Sequence, residues 1–143
     1  MTATDHTPLR ALRINTTDQI EPLTIDRIRT MESLHENIGC NNFDVVGLED
    51  DIDLFVDDEG AINGSDLNLP ATIIAHALGR PAVLFGHAVA LGCDPKTGDS
   101  ISLTDTQIRR LTAVLTAPPT PNLITQLADS LAPFPSLSAL LRR

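Results

Sequence analysis

Carboxylates, histidines and cysteines are the side chains here that could do chemistry, and their spacing limits what each could do. Eight acids crowd one short stretch: Glu49, Asp50, Asp51, Asp53, Asp57, Asp58, Glu59 and Asp66. No Lys or Arg lies between Thr30 and Gly79. Like charges this close repel, so solvent, a cation or a basic surface must offset them. The simplest reading is a solvated hairpin edge, whose charges block sheet-to-sheet aggregation. The sharper one is a basic protein partner, or mimicry of nucleic-acid charge. A calcium loop fits poorly. With Gly60 at the invariant glycine of an EF-hand, Asp57, Glu59 and Asp66 fall at ligand positions and Ile62 at the apolar one, but Phe55 takes the first ligand position. Hard-cation coordination needs six or more oxygens from a suitably shaped loop.

His35 with Cys40, and His87 with Cys93, are the pairs from which a zinc site would have to be built. Neither has the short spacing that makes such a site strong, and packing explains both better. A Cys–His nucleophile, Cys40 or Cys93 with His76 or His87, is open to the same objection. No GxSxG, Walker loop or HExxH is present, and the glycines are explained by turns and caps. The arginines gather near the two ends, Arg10, Arg13, Arg27 and Arg29 in the first fifth, and Arg109, Arg110, Arg142 and Arg143 late. Ordinary surface charge accounts for them. A basic patch for an anionic nucleotide or phosphate would form if the first hairpin and the last helices were neighbours. The residues expected to carry binding are Asp57, Asp58, Glu59, Asn68, His76, His87, Arg109 and Arg110. No catalytic set, metal or other cofactor is expected.

These residues need elements to hold them. Apolar and polar residues alternate over Leu12–Asn15 and Ile20–Ile25, which predicts a hairpin whose second strand, with Pro22, lies at an edge. Ile28, Met31, Leu34 and Ile38 predict one face of a helix, opened by Asp26 and closed by Gly39. Phe43–Leu48 reads as a strand. Ile52, Leu54 and Val56 alternate with Asp51, Asp53, Phe55 and Asp57, predicting a strand with one face inside and the other largely in water. Asp57–Gly60 is a turn, and Ala61–Asn63 a short return. Asn68 caps a helix carrying Pro70 in its first turn and ending near Leu78. Val83–Cys93 reads as a central strand and Ser100–Leu103 as its hairpin partner. Thr104 and Gln107 form a capping box ahead of Ile108, Leu111 and Leu115. After the stiff Pro118-Pro119-Thr120-Pro121, another helical face follows at Leu123, Ile124, Leu127 and Leu131. Ser136–Arg143 makes a last turn.

The fold class expected is therefore α+β, with a mixed or mainly antiparallel sheet of β-β-α units packed by helices and a C-terminal helical appendage. Residues 1–8 read as a disordered leader, 9–116 as the core domain and 117–143 as a Pro-linked helical segment. The chain has 143 residues, 42% hydrophobic, with four Phe and no Trp or Tyr, so the core must be Leu, Ile, Val and Ala. Lack of aromatic platforms and a formal charge of −9 argue against direct nucleic-acid binding and against an anionic membrane surface. Arg80, Pro81 and the histidines interrupt the one long apolar stretch, so no membrane span is expected. The N-terminus lacks an apolar signal segment, which points to a cytoplasmic protein with free thiols.

Three runs carry a resemblance: Leu54-Phe55-Val56-Asp57-Asp58-Glu59-Gly60, then Leu67-Asn68-Leu69-Pro70-Ala71-Thr72, then Gly86-His87-Ala88-Val89-Ala90-Leu91-Gly92-Cys93-Asp94. Over about Ala11–Leu115 the chain resembles the DUF3846 family, a small domain of unknown function found mostly in phages, plasmids and actinobacterial genomes. Such domains often read Gly-Gly-Tyr where this chain has Gly39-Cys40-Asn41-Asn42-Phe43, so any role of that tyrosine is lost here. The resemblance implies a mobile-element origin and brings no activity. The expected function is that of a non-enzymatic accessory protein, assembled as a homo-oligomer, that binds a host protein or a small anionic molecule. The alternatives are a small nucleotide-directed hydrolase or transferase, and a structural interaction domain or acidic nucleic-acid mimic.

Overall fold

The structure is a computed structural model and describes residues 7–17, 19–39, 42–57 and 66–133. Among the described residues six strands form one sheet: β1 (Leu9–Ile14), β2 (Ile20–Ile25), β3 (Phe43–Leu48), β4 (Ile52–Asp57), β5 (Ala88–Cys93) and β6 (Ser100–Ile101). Four helices accompany them: α1 (Thr30–Ile38), α2 (Leu69–Ala77), α3 (Asp105–Thr116) and α4 (Pro121–Leu131). Three β-β-α units thus follow one another, as the sequence pattern predicts, and α4 comes after them. The order across the sheet is β2-β1-β5-β4-β3, with β6 paired to the end of β5. Every pairing is antiparallel, so the sheet is not mixed.

Alternation within each strand supplies two cores. Leu12, Ile14, Ile52, Leu54, Val56, Ala88 and Ala90 face α2 and α3, meeting Ile74, Leu78 and Leu111. Leu9, Ala11, Ile25, Phe55, Val89 and Leu91 face the other way, onto Leu34 and Ile38 of α1. The expectation that the Phe55 side of β4 lies largely in water is therefore wrong. Phe55 is buried because α1 crosses that face, and Phe43 meets its ring edge-on at 5.6 Å.

Local chemistry sets the helix ends. Thr104 and Gln107 make the predicted capping box, the Gln107 N–H donating to Thr104 Oγ1 at 3.1 Å and the Thr104 N–H to Gln107 Oε1 at 2.9 Å. Asp26 does not start α1. Its carboxylate accepts from the Ile28 and Arg29 N–H groups in a turn, and the helix begins at Thr30. That shift leaves Ile28 and Met31 57% and 60% exposed, so the apolar face is only Leu34 and Ile38. In α4, Leu127 and Leu131 are buried while Ile124 is exposed.

Two strand predictions also change. β1 starts at Leu9, and β5 is confined to Ala88–Cys93. Gly86, at φ 81°, turns the chain ahead of it, and Leu67 bridges to Phe85, so residues 83–87 form a loop. The edge strands differ in their protection. β2 carries Pro22 as expected, whereas on β3 the Asp44 carboxylate accepts from the outward Val45 N–H at 2.8 Å. The expected return at 61–63 and last turn at 136–143 lie outside the described residues, as does most of the leader. Among the described residues no helix is long and apolar enough to cross a membrane.

Candidate functional site

Asn68, Thr72 and His76 stand one helical turn apart on α2, and all three are buried. Asn68 Nδ2 donates to the Ile14 and Gly86 carbonyls, both at 2.8 Å, and its Oδ1 accepts from the Ala71 N–H at 3.0 Å. It is at once an N-cap and a clamp joining β1 to the turn before β5. Thr72 Oγ1 donates to the Asn68 carbonyl and accepts from the Leu84 N–H at 3.0 Å. His76 Nδ1 lies 2.7 Å from the Thr72 carbonyl, which only accepts, so that nitrogen carries the proton. Nε2 lies 2.6 Å from Ser130 Oγ, a hydrogen bond that ties α4 to α2. Asn68 and His76, both expected binding residues, are thus satisfied within the fold.

A cleft of about 500 Å³ opens beside the His76–Ser130 contact, lined also by Glu49, Gly79, Pro81, Gln126 and Asp129. A histidine nitrogen facing a serine hydroxyl is the first requirement of nucleophilic catalysis. The surroundings oppose it. The C-terminal ends of α2 and α4, with Glu49 and Asp129, create a negative field where an acyl transfer would develop an oxyanion.

The acidic turn Glu49–Asp51 lies at this same end of the sheet. Asp50 and Asp51 take φ values of 62° and 56°, in the left-handed region that a side chain disfavours. Contacts from α3 hold the turn. Arg110 pairs with both Glu49 and Asp50, and Gln107 Nε2 donates to the Asp50 carbonyl at 2.8 Å. These pairs raise the Arg110 guanidinium above its ordinary pKa, the Asp50 hydrogen bond being the largest cause. Part of the acidity is therefore offset inside the molecule, by one of the arginines expected to bind a ligand. Arg109 is exposed and reaches Thr106 Oγ1 at 3.4 Å.

Arg10 and α3 are neighbours, as a basic patch would require, but Arg10 pairs with Asp105 at 2.8 Å. Arg29 pairs with Glu32, and Arg13 approaches Glu21 at 3.7 Å. Arg142 and Arg143 lie outside the described residues.

The opposite end of the sheet is different in kind. Ile14 faces Ala88, and Phe55 faces Val89. Asn15 and His87 adjoin the last paired residues of β1 and β5, Ile14 and Ala88. Asn15 is only 6% exposed; its Nδ2 donates to Glu21 Oε1 at 3.1 Å, and its Oδ1 is buried without a partner. His87 Nδ1 is buried without a partner as well. Arg13 stands in the next row and donates from Nε to the Asn37 carbonyl at the end of α1. Among the expected binding residues, the structure thus places His87 at this end, beside the Ile14 and Gly86 carbonyls that Asn68 clamps, with Asp57 ending β4. It sets His76, Arg109 and Arg110 elsewhere, and Asp58 and Glu59 lie outside the described residues.

Sequence reasoning misses Asn15, Glu21 and Ser130. Asn15 carries no clear signal: it continues the Leu9–Ala11 side of β1, but Arg13 already makes that side polar before it.

Burial, then the nearby Arg13 charge, hold the His87 imidazole below its ordinary pKa of 6.5, with Glu21 pulling the other way. The unfolded chain therefore takes up a proton before the native one does. His87 lends stability above pH 6.5 that is lost as pH falls below that value, levelling off once the native imidazole also titrates. Urea unfolding of wild type and His87→Gln at stepped pH should show the wild type losing ground on acidification. A constant gap between them would contradict this.

His87 directly precedes β5 and Cys93 ends it, about 20 Å away at 3.3 Å per residue, so they cannot share a metal; Cys40 lies outside the described residues. Burial, followed by the charge and hydrogen bond of Asp53 and the charges of Asp51 and Asp94, pushes the Cys93 thiol above its ordinary pKa. In a Cys40→Ser background, iodoacetamide at mildly alkaline pH should alkylate Cys93 several-fold more slowly than a free thiol. Asp53→Asn should speed that reaction.

No curated protein and no solved structure matches the chain. One family does, described as a domain of unknown function, over residues 9–116, a span running from the start of β1 to the end of α3. That covers about three-quarters of the sequence and every described strand of the sheet, and leaves α4 outside. On this match the chain belongs to the DUF3846 family.

Proposed function

We propose that this chain works by binding, as an accessory protein of phage or plasmid type, and that its binding site is the β1–β5–β4 end of the sheet. The observation that carries the reading is the pair of orphaned atoms there, Asn15 Oδ1 and His87 Nδ1. Native folds leave few buried polar atoms unpaired, and each costs about 1–3 kcal/mol. Two in register on neighbouring strands are a cost that a bound partner would relieve. Of the two targets expected from the sequence, a host protein fits better than a small anion. Arg10, Arg13, Arg29 and Arg110 already have carboxylates of their own. A hydrolase remains the second reading, favoured only by the His76–Ser130 hydrogen bond and opposed by the negative field around it.

The test is nuclear magnetic resonance of the full chain against a panel of small polar compounds and candidate host peptides. Binding should move the Asn15 side-chain amide and His87 ring resonances first. Ligands that perturb only the His76–Ser130 cleft, or none that perturb either place, would sink the proposal.

A further inference from the structure

We infer that α4 is a strap: it opens as a unit, without unfolding the domain beneath it, and in opening uncovers His76 and one side of α2. The inference stands apart from the sheet-end site and does not depend on it.

Helix α2 has no wet face. Ala71, Ile74, Ala75 and Leu78 belong to the core it shares with the sheet. Leu69, Ile73, His76 and Ala77 recur at three- and four-residue steps on the remaining surface, and each is buried or half-buried. A helix of this kind needs cover all round. The sheet and α3 give part of that cover, and α4 lies on α2 as well.

The seat of α4 is narrow. Leu123, Leu127, Ser130 and Leu131 form its one covered stripe, while Ile124, Thr125, Gln126, Ala128 and Asp129 are all exposed. Leu127 and Leu131 are buried, yet neither belongs to the two cores that hold the sheet. The contact of His76 Nε2 with Ser130 Oγ, at 2.6 Å, adds a polar peg. Eleven residues make too short a helix to persist alone in water, so α4 is folded only while seated. Its hinge is loosely tied. Residues 117–120 are exposed throughout, and Pro118 and Pro119 have no N–H to bond to the domain. The family match ends at Thr116, so every described strand and the first three helices precede the hinge. A unit held by few buried contacts at the end of a chain is the kind that opens below the free energy of global unfolding.

Opening has a definite consequence. His76 is 5% exposed with α4 seated. The cleft of about 500 Å³ beside it takes one wall from Gln126, Asp129 and Ser130. Undocking removes that wall and bares a seat whose complement is written in α4 itself: leucines four residues apart, with a hydroxyl just before the second.

Native-state hydrogen exchange of the full chain tests the opening. The amides of Leu127–Leu131 should be protected at least about tenfold less than those of β5. Ile25→Val, in the core on the α1 side, should lower β5 protection several-fold. It should leave α4 protection unchanged, because seated and open forms share that core. If α4 protection falls in step with that of β5, α4 opens only when the domain unfolds, and the inference is overturned. Leu127→Asp combined with Leu131→Asp should hold the strap open in a folded protein. Diethyl pyrocarbonate should then modify His76 several-fold faster than in wild type. A labelled peptide of residues 119–133 should bind this variant at least about tenfold more tightly than wild type, whose seat is already filled by its own tethered helix. An unfolded double variant would make α4 part of the core and end the proposal. So would equal peptide binding by the two proteins, or His76 labelling that does not change.

Discussion

Asn68→Ala is expected to cost about 3–5 kcal/mol, enough to unfold much of a marginally stable domain. Three losses combine. The Ala71 N–H loses its cap, worth about 1 kcal/mol. The Ile14 carbonyl, in the interior, and the half-buried Gly86 carbonyl, both bonded to the same amide nitrogen at 2.8 Å, each lose that partner. Alanine cannot reach either, and each orphan costs about 1–3 kcal/mol. Urea denaturation of three variants separates the terms. Asn68→Ser keeps an oxygen for the cap and should recover only that share. Asn68→Asp also keeps the cap but turns an acceptor toward two carbonyls, so it should be no better than alanine. If Asn68→Ala stays within about 1 kcal/mol of wild type, the clamp does not support the fold.

Gly92→Val is expected to cost about 3 kcal/mol for the opposite reason, too many atoms rather than too few. A Cβ at Gly92 would lie 2.9 Å from the Ser102 carbonyl oxygen, 3.1 Å from Ile101 Cγ1 and 3.2 Å from the Ile101 carbonyl oxygen. Two of these are backbone atoms, and that backbone cannot retreat. The Leu103 N–H donates to the Arg10 carbonyl at 2.9 Å, the Arg10 N–H to Ser102 Oγ at 2.9 Å, and the Arg10 guanidinium grips the Leu103 carbonyl at 2.8 and 3.0 Å. Valine must break the β5–β6 pairing or push β1 aside. Gly47→Ala is the control, since its Cβ would find only Asp53 Oδ1 at 3.9 Å. Thermal unfolding should place the Gly92 variant far below wild type and the Gly47 variant close to it. Similar melting temperatures for both would refute the packing argument.

Features written in a few adjacent residues are legible in the sequence alone. The Thr104–Gln107 box, the Asn68 cap with Pro70 behind it, Gly39 at the end of α1 and Pro22 on an edge strand each depend on chemistry within one turn of chain. Local pattern fails where a distant neighbour decides. Phe55 looks half-wet because nothing in its own strand announces that α1 will cross it. Asp26 has the chemistry of a cap, yet its carboxylate closes a turn one step too early. The expected site divides in the same way. Asn68 reaches the Gly86 carbonyl beside His87 across 18 residues, a contact no local pattern reveals. Arg110 finds Glu49 and Asp50, and His76 finds Ser130, across still longer gaps. Asn15 follows Arg13 on its side of β1 and looks like ordinary strand-end polarity, so only its missing partner makes it informative.

The contact between Asp44 and the Val45 N–H bears on how large this sheet can become. β3 ends the sheet on one side, with two adjacent valines and a glycine along it and no proline or lysine. Two copies meeting there head to tail would set Val45 against Val46 and Asp44 against Gly47, with no like charges opposed. The strand is thus self-complementary, and one carboxylate, occupying a main-chain donor that a neighbour would need, stands against the joining of two sheets edge to edge. A single hydrogen bond at the rim thus guards the open edge that net charge alone would leave exposed.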